Sequence, residues 1–385
     1  MRIVFLSHYA LPHVGGIETA IDGFGEELAR RGHDVVHIAS DAGRADASGP
    51  PRMYRVVRVP ALNVLEGRLD VPYPLFGARL LRALRRELSQ ADVVHAHGFL
   101  YMPSVVGLQL ARSRSASRRP VRVLTEHVGH VPYESRVLDG LESLAIATLG
   151  RASLRAAEAI VVSNDRVESE LLRLVPGRQF EFLPNGVDTE RFRPPTEEER
   201  IALRRQLDWS DDKPRVLFVG RPVPKKGIDL ALAAADVADG AFELVLVGGG
   251  RVETPPRASV RMLGPQPREQ LELLYRAADA LLLPSRGGEG FPMTVQEAMA
   301  SGLPVVLCDD PSYGRHLNGA AEGVRLTAPN ARAVVEALAS LLEPEQARYA
   351  AARAAEAHAK RAFSSSKAAD DHEALYERVR RERGV

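Results

Sequence analysis

Short apolar runs alternate with helix-length amphipathic segments through the first 190 residues: Ile3 to Leu6, Val35 to Ala39, Val56 to Val59, Val93 to His95, Val121 to Leu124, Ala159 to Val162 and Phe180 to Leu183. Runs this short, without strict apolar–polar alternation, are the pattern of strands buried on both faces, and the segments between them have the length of crossover helices. After Pro194, Pro195 and a charged stretch the pattern resumes at Arg215 to Val219, Glu243 to Val247, Val260 to Leu263, Ala280 to Leu283, Pro304 to Leu307 and Gly323 to Leu326. Two α/β halves are predicted, each a parallel sheet with helices on both faces. Domains are expected at 1–190 and 191–365, with a last helix at 366–385 folding back onto the first. Such sheets bind ligands at the carboxyl ends of their strands, so the chemistry is sought just after each run.

The length, 385 residues, supports two domains. A net charge of +1 argues against general attraction to nucleic acid. The lone Cys308 rules out an internal disulfide framework and reads as a small apolar residue closing a strand. The apolar run at the N-terminus is too short for a signal peptide, and no run reaches the length of a membrane span, so a cytoplasmic protein is expected. Charge is lopsided only between Arg79 and Arg122, where nine arginines face Glu87 and Asp92. Arg79, Arg82 and Arg86 share a helix face, and Arg118 and Arg119 lie in a basic loop. These read either as solvated surface or as a docking patch for an anionic acceptor or the inner face of a membrane.

After the first strand, Gly15 and Gly16 open a helix whose free N–H groups suit an anion. His95, His97, His127 and His130 follow later strands; a metal reading is disfavoured because no cysteine or carboxylate stands at a familiar spacing. His127 is expected to bond a polar ligand and His95 to be a satisfied core residue. In the second half Gly220 and Arg221 end a strand, while Lys225, Lys226 and Gly227 enter the next helix, a basic turn suited to a diphosphate but lacking the Walker pattern. The stretch from Leu281 to Val306 places Glu289 in a glycine-rich turn and Glu297 on the helix after it.

The segments PHVGGIETAI, VVHAHG, TEHVG, LPNGVDTERFRP, VGRPVPKKGID, ADALLLPS and EGFPMTVQEAMASGLPVV, in this order, resemble the retaining glycosyltransferases of group 1, often numbered family 4. That resemblance implies the GT-B fold, two Rossmann-like domains facing each other across a cleft. It also implies transfer of a sugar from a nucleotide-diphosphate donor, a UDP- or GDP-sugar, to a hydroxyl acceptor, as in bacterial polysaccharide, envelope or glycolipid synthesis. By matching motifs, Arg221 and Lys226 would neutralise the diphosphate, Glu297 would hold the ribose, Glu289 would contact the transferred sugar, and His127 would lie near its reacting carbon. Gly15, Gly16, Asn185, Gly290, Phe291, Met293 and Thr294 complete the implied donor-binding set. No Asp-x-Asp occurs, so no metal and no cofactor beyond the donor is expected. Pro292 stands where the family commonly has glycine, and Glu126 beside His127 reads as an acceptor contact or an arginine partner. A GT-B-type sugar-nucleotide epimerase and a non-catalytic nucleotide-sugar-binding module are the competing readings.

Overall fold

A computed structural model describes residues 1–13, 15–41, 52–69, 71–115, 119–130, 135–210, 212–250, 259–286 and 290–384. The chain forms two compact units, Met1–Gly186 with Ser365–Val385, and Val187–Ser364. The first crossing therefore lies just after the Pro-Asn-Gly turn, ahead of the 190/191 boundary expected from sequence, because Val187 is already buried in the second unit's core.

In the first unit the strands are β1 (Arg2–Leu6), β2 (Asp34–Ser40), β3 (Arg55–Val59), β4 (Ala61–Leu62), β5 (Leu75–Phe76), β6 (Val93–His97), β7 (Val121–Glu126), β8 (Ala159–Val162) and β9 (Glu181–Phe182). Seven of them make one parallel sheet in the order β3-β2-β1-β6-β7-β8-β9, and β4 and β5 form a separate antiparallel pair that the hydrophobic pattern does not reveal. Its helices are α1 (Gly16–Arg30), α2 (Val64–Leu69), α3 (Ala78–Leu88), α4 (Met102–Arg112), α5 (Arg136–Ala145), α6 (Arg151–Ala156) and α7 (Asp165–Leu174). Helix α1 buries Ala20, Ile21, Phe24 and Leu28, the three- and four-residue spacing that gives one apolar stripe.

The second unit holds α8 (Glu197–Gln206), α9 (Ile228–Val237), α10 (Arg268–Ala277), α11 (Met293–Ala300), α12 (Gly314–Leu317), α13 (Ala331–Leu342) and α14 (Glu345–Ala362). These surround the strands β10 (Arg215–Val219), β11 (Glu243–Val247), β12 (Val260–Gly264), β13 (Ala280–Leu283), β14 (Val305–Cys308) and β15 (Val324–Thr327), a parallel sheet in the order β12-β11-β10-β13-β14-β15. In both sheets the strand order reverses beside the first strand, between β1 and β6 and between β10 and β13, the place where open α/β sheets bind ligands. Seven of the eight residues of α11 are buried, so this helix is a core element and its acid, Glu297, is carried into the interior.

The last helix, α15 (Ser365–Glu382), belongs to the first unit and packs on α1 and β7. Ala369, Leu375, Tyr376 and Val379 enter that unit's core, and Arg31 clamps the helix through Asp370 at 2.6 Å and Glu373 at 2.7 Å. The Tyr376 hydroxyl meets His95 Nδ1 at 2.7 Å, and His95 Nε2 meets Thr125 Oγ1 at 2.6 Å, so His95 is a core histidine satisfied on both sides. Tyr376→Phe strands a buried ring nitrogen. A stability loss of about 1–2 kcal/mol is expected, read as a lower melting temperature of the first unit; an unchanged melting temperature contradicts this account.

Candidate active site

In the second unit the loop after β10 is shaped by glycine. Gly227 (φ +76°) ends the short turn Pro224–Lys226 and starts α9, and a Cβ there would lie 1.9 Å from the Pro284 carbonyl oxygen. Gly248 (φ +152°) likewise has no room for a side chain against the Gly220 carbonyl. Only bare backbone lets these loops close over the carboxyl ends of β10 and β13. The stem of Lys226 runs beside Gly220, its Cε 3.9 Å from where a Cβ would stand, and Arg221 is exposed.

Glu297 is buried, accepts a hydrogen bond from the Tyr275 hydroxyl at 3.2 Å, and lies 4.0 Å from Arg268, whose guanidinium covers the Phe192 ring. Burial pushes its carboxyl up to about 7, with Arg268 and Tyr275 opposing the rise. At this value the carboxyl passes between its proton-bearing and ionised forms near neutral pH, and only the ionised form offers both oxygens as acceptors. Nearby in sequence, Pro292 sits at the position before α11 and its carbonyl accepts from Val295 at 3.1 Å and Gln296 at 3.3 Å. The proline thus costs the helix none of its own bonds, although it offers no N–H to a phosphate. The buried hydroxyls of Thr294 and Ser285, one on α11 and one after β13, have no hydrogen-bond partner among the described residues. Phe291 is committed to an aromatic cluster, stacked on His316 at 4.3 Å and edge-on to Tyr313, and Met293 is also buried. Their side chains hold the turn in place, while Gly290 is half-buried at its rim. Glu289 lies outside the described residues.

In the first unit His127 is buried at the end of β7, and burial lowers its pKa to about 4, so the ring is neutral. Its Nε2 shares a hydrogen bond of 3.1 Å with Nδ1 of His97, and its own Nδ1 has no partner among the described residues. His97, Thr125, His127, Pro184, Asn185 and, from α15, His372 line one cavity of about 20 Å³, room for roughly one water. Two residues flagged in the sequence, His127 and Asn185, are thereby brought together. Sequence reasoning missed His372 and Tyr376: their only signal is an apolar stripe on a C-terminal helix, which does not say where that helix docks.

The Gly15–Gly16 turn does begin α1, but it already faces an anion. The Glu18 carboxylate folds over Gly15, 3.4 Å from His13 and 3.6 Å from His8. Burial alone would raise the Glu18 carboxyl; the His13 hydrogen bond and the His8 charge outweigh it and hold it below the usual range. Glu126 neither pairs with an arginine nor reaches outward: it is buried and accepts from the backbone N–H groups of Phe99, Val128 and Gly129 at 2.8–3.0 Å. It organises the loops after β6 and β7. His130 pairs with Asp139 at 3.1 Å and Glu142 at 3.4 Å, a group close enough to hold a cation and equally an ordinary ion-pair cluster.

The basic region divides. Arg79, Arg82 and Arg86 are exposed on α3, whereas Arg119 is half-buried and donates to the Arg114 carbonyl at 3.1 Å. Arg122 is buried, donating to the Ala156 carbonyl at 2.7 Å and pairing with Glu158 at 3.2 Å. Arg119 and Arg122 are structural, and Arg118 lies outside the described residues. No described helix is long and apolar enough to cross a membrane.

Residues 14–191 match the family model described as Glycosyltransferase Family 4, and residues 199–358 match that described as Glycosyl transferases group 1. A GDP-mannose-dependent alpha-mannosyltransferase of Mycobacterium tuberculosis is 32% identical over 324 residues, covering 80% of this chain and 79% of that one. A D-inositol 3-phosphate glycosyltransferase of Xylanimonas cellulosilytica is 30% identical over 354 residues, covering 79% of each. Among solved structures, sucrose-phosphate synthase of Thermosynechococcus elongatus superposes with a TM-score of 0.77 at 22% identity, covering 98% of both chains, which is a likeness of fold.

Proposed function

The chain belongs to the group 1, family 4 glycosyltransferases of GT-B fold, and from that premise we propose how its own residues serve the transfer of a sugar from a nucleotide-diphosphate donor. Glu297 carries the reading: a buried carboxyl raised to about 7, in a core helix at the ligand-binding edge of the second sheet, fits the ribose hydroxyls. Arg221 and Lys226 take the diphosphate, and the free hydroxyls of Ser285 and Thr294 with the first N–H groups of α11 add donors to it. As the sugar leaves, negative charge grows on the terminal phosphate. Fixed positive groups and helix N–H donors lower that barrier without a metal. Neutral His127, its Nδ1 unbonded, hydrogen-bonds the transferred sugar, and Glu289 contacts it as well. Reaction proceeds with retention, the leaving phosphate accepting the proton of the incoming hydroxyl.

The two relatives are a GDP-mannose-dependent mannosyltransferase and an inositol 3-phosphate glycosyltransferase, so a GDP-sugar is the first donor to assay and a polyol the first acceptor. Nucleotide release that depends on acceptor, with an axial linkage in the product, supports transfer; interconversion of donor sugars without acceptor supports epimerisation and overturns it. Lys226→Ala is expected to lower donor kcat/KM by about tenfold, as its half-exposed position limits the loss. A variant as active as the parent removes Lys226 from the donor site.

A further inference from the structure

We propose that the outer face of the helical run 136–156 docks on an anionic lipid bilayer. Helix α5, a five-residue π-helical turn (Ile146–Gly150) and α6 follow one another without leaving right-handed helical backbone. Helix α5 contains Val137, Leu138, Leu141, Leu144 and Ala145, yet none of its residues is buried. Val137, Leu141 and Leu144 are 72%, 59% and 61% exposed at the four- and three-residue spacing that places them on one face, and Leu149 on the π turn is 45% exposed. Single exposed leucines are common on protein surfaces; a row of them on one helix calls for a cover.

The charges on this face indicate what the cover is. The two acids of α5, Asp139 and Glu142, are turned to His130 and half-buried. What remains exposed along the run, besides the apolar row, is small or hydroxyl-bearing residues and three cations, Arg136, Arg151 and Arg155. Among the described residues none of these three is ion-paired. Helix α6 packs on α4 and α4 on α3, whose exposed Arg79, Arg82, Arg85 and Arg86 extend the same sign of charge. Among the described residues of this run, aliphatic side chains with a basic rim, acids limited to the half-buried Asp139 and Glu142, and no aromatic side chain suit a lipid interface, which needs hydrocarbon insertion and attraction to anionic headgroups. A specific protein partner would be expected to show a central aromatic or arginine anchor in a pocket and mixed charge at the rim. The sequence reading sought the docking surface among the arginines of α3 and the following loop; the structure moves its inserting part to α5.

Binding is measured by co-sedimentation of the full chain, without donor or acceptor, so its failure is distinct from failure of the transfer reading. The probes are vesicles of phosphatidylcholine alone and of phosphatidylcholine with phosphatidylglycerol. Binding to the anionic vesicles, weakened by salt, is expected. The pair Leu141→Ser and Leu144→Ser and the pair Arg151→Glu and Arg155→Glu should each weaken it about tenfold or more. Both pairs change exposed side chains, and a retained melting temperature shows that the fold is intact. No binding to anionic vesicles, or equal binding by parent and folded variants, overturns the proposal. So does a parent dimer in solution that the leucine variants convert to monomer, which would assign the face to a second copy.

Discussion

Glu297→Ala is expected to lower donor kcat/KM by about 30-fold, corresponding to about 2 kcal/mol for a charge-assisted contact to the donor. The side chain lies within the core with Tyr275 and Arg268 as its neighbours, and Glu272, the nearby carboxylate that helps raise it, is held in an ion pair by Arg191. The same residue predicts a pH dependence. In the unfolded chain this carboxyl ionises near 4.5, and in the folded, donor-free protein near 7. Below 4.5 both states hold the proton. Between the two values only the folded state holds it, so folding stability falls as pH rises and the loss is complete above about 7, amounting to about 3 kcal/mol. Glu297→Gln carries no such penalty. Its melting temperature relative to the parent should therefore rise between pH 5 and 8, values set around the two pKa positions. Donor hydroxyls favour the ionised carboxylate, so donor affinity in the parent should increase as pH rises toward 7 and should lose that dependence in Glu297→Gln. A parallel pH profile in parent and variant would refute both statements.

Gly227→Ala is expected to destabilise the second unit by about 3 kcal/mol or more and to abolish the melting shift produced by donor. A left-handed backbone costs a non-glycine residue about 1–2 kcal/mol. The rest comes from geometry: the added carbon would sit 1.9 Å from the Pro284 oxygen and 2.6 Å from its carbonyl carbon, backbone atoms that can yield only if the end of β13 moves. Gly240→Ala provides the control. Gly240 has a similar φ, +83°, but nothing within 4 Å of the new carbon, so its cost should be about 1 kcal/mol with donor binding retained. Equal losses at the two positions would show that backbone conformation, and not the closeness of the two loops, sets the requirement for glycine.

The donor-side candidates could be named from the sequence because their signals are local. Gly220 and Arg221 directly follow β10, Lys226 and Gly227 stand at the entrance to α9, and Glu297 is on the helix between β13 and β14, so apolar runs bracket each of them in the sequence regardless of what packs around. Thr294 and Ser285 show why legibility stops there: whether a hydroxyl is bonded or waiting for a ligand depends on neighbours brought from elsewhere. Glu126 shows the opposite error. An acid beside a candidate histidine looked like a ligand contact, but three backbone N–H groups, one of them from the loop after β6, had already claimed it.

By itself the sequence determined the class of fold and the βα order, since strand burial and helix periodicity are written residue by residue. It also determined the family, since the motifs at the strand ends are contiguous. The tertiary structure decided the long-range pairings: Tyr376 against His95, His372 and Asn185 at the same small cavity as His127, and Glu18 over the Gly15 turn. It also separated the arginines of the basic region into exposed ones on α3 and the half-buried Arg119 and buried Arg122, which tie loops together. The physical reason is the same in each case. Burial and partnership are properties of neighbours in space, and parallel sheets bring together residues that lie tens to hundreds of positions apart in the chain.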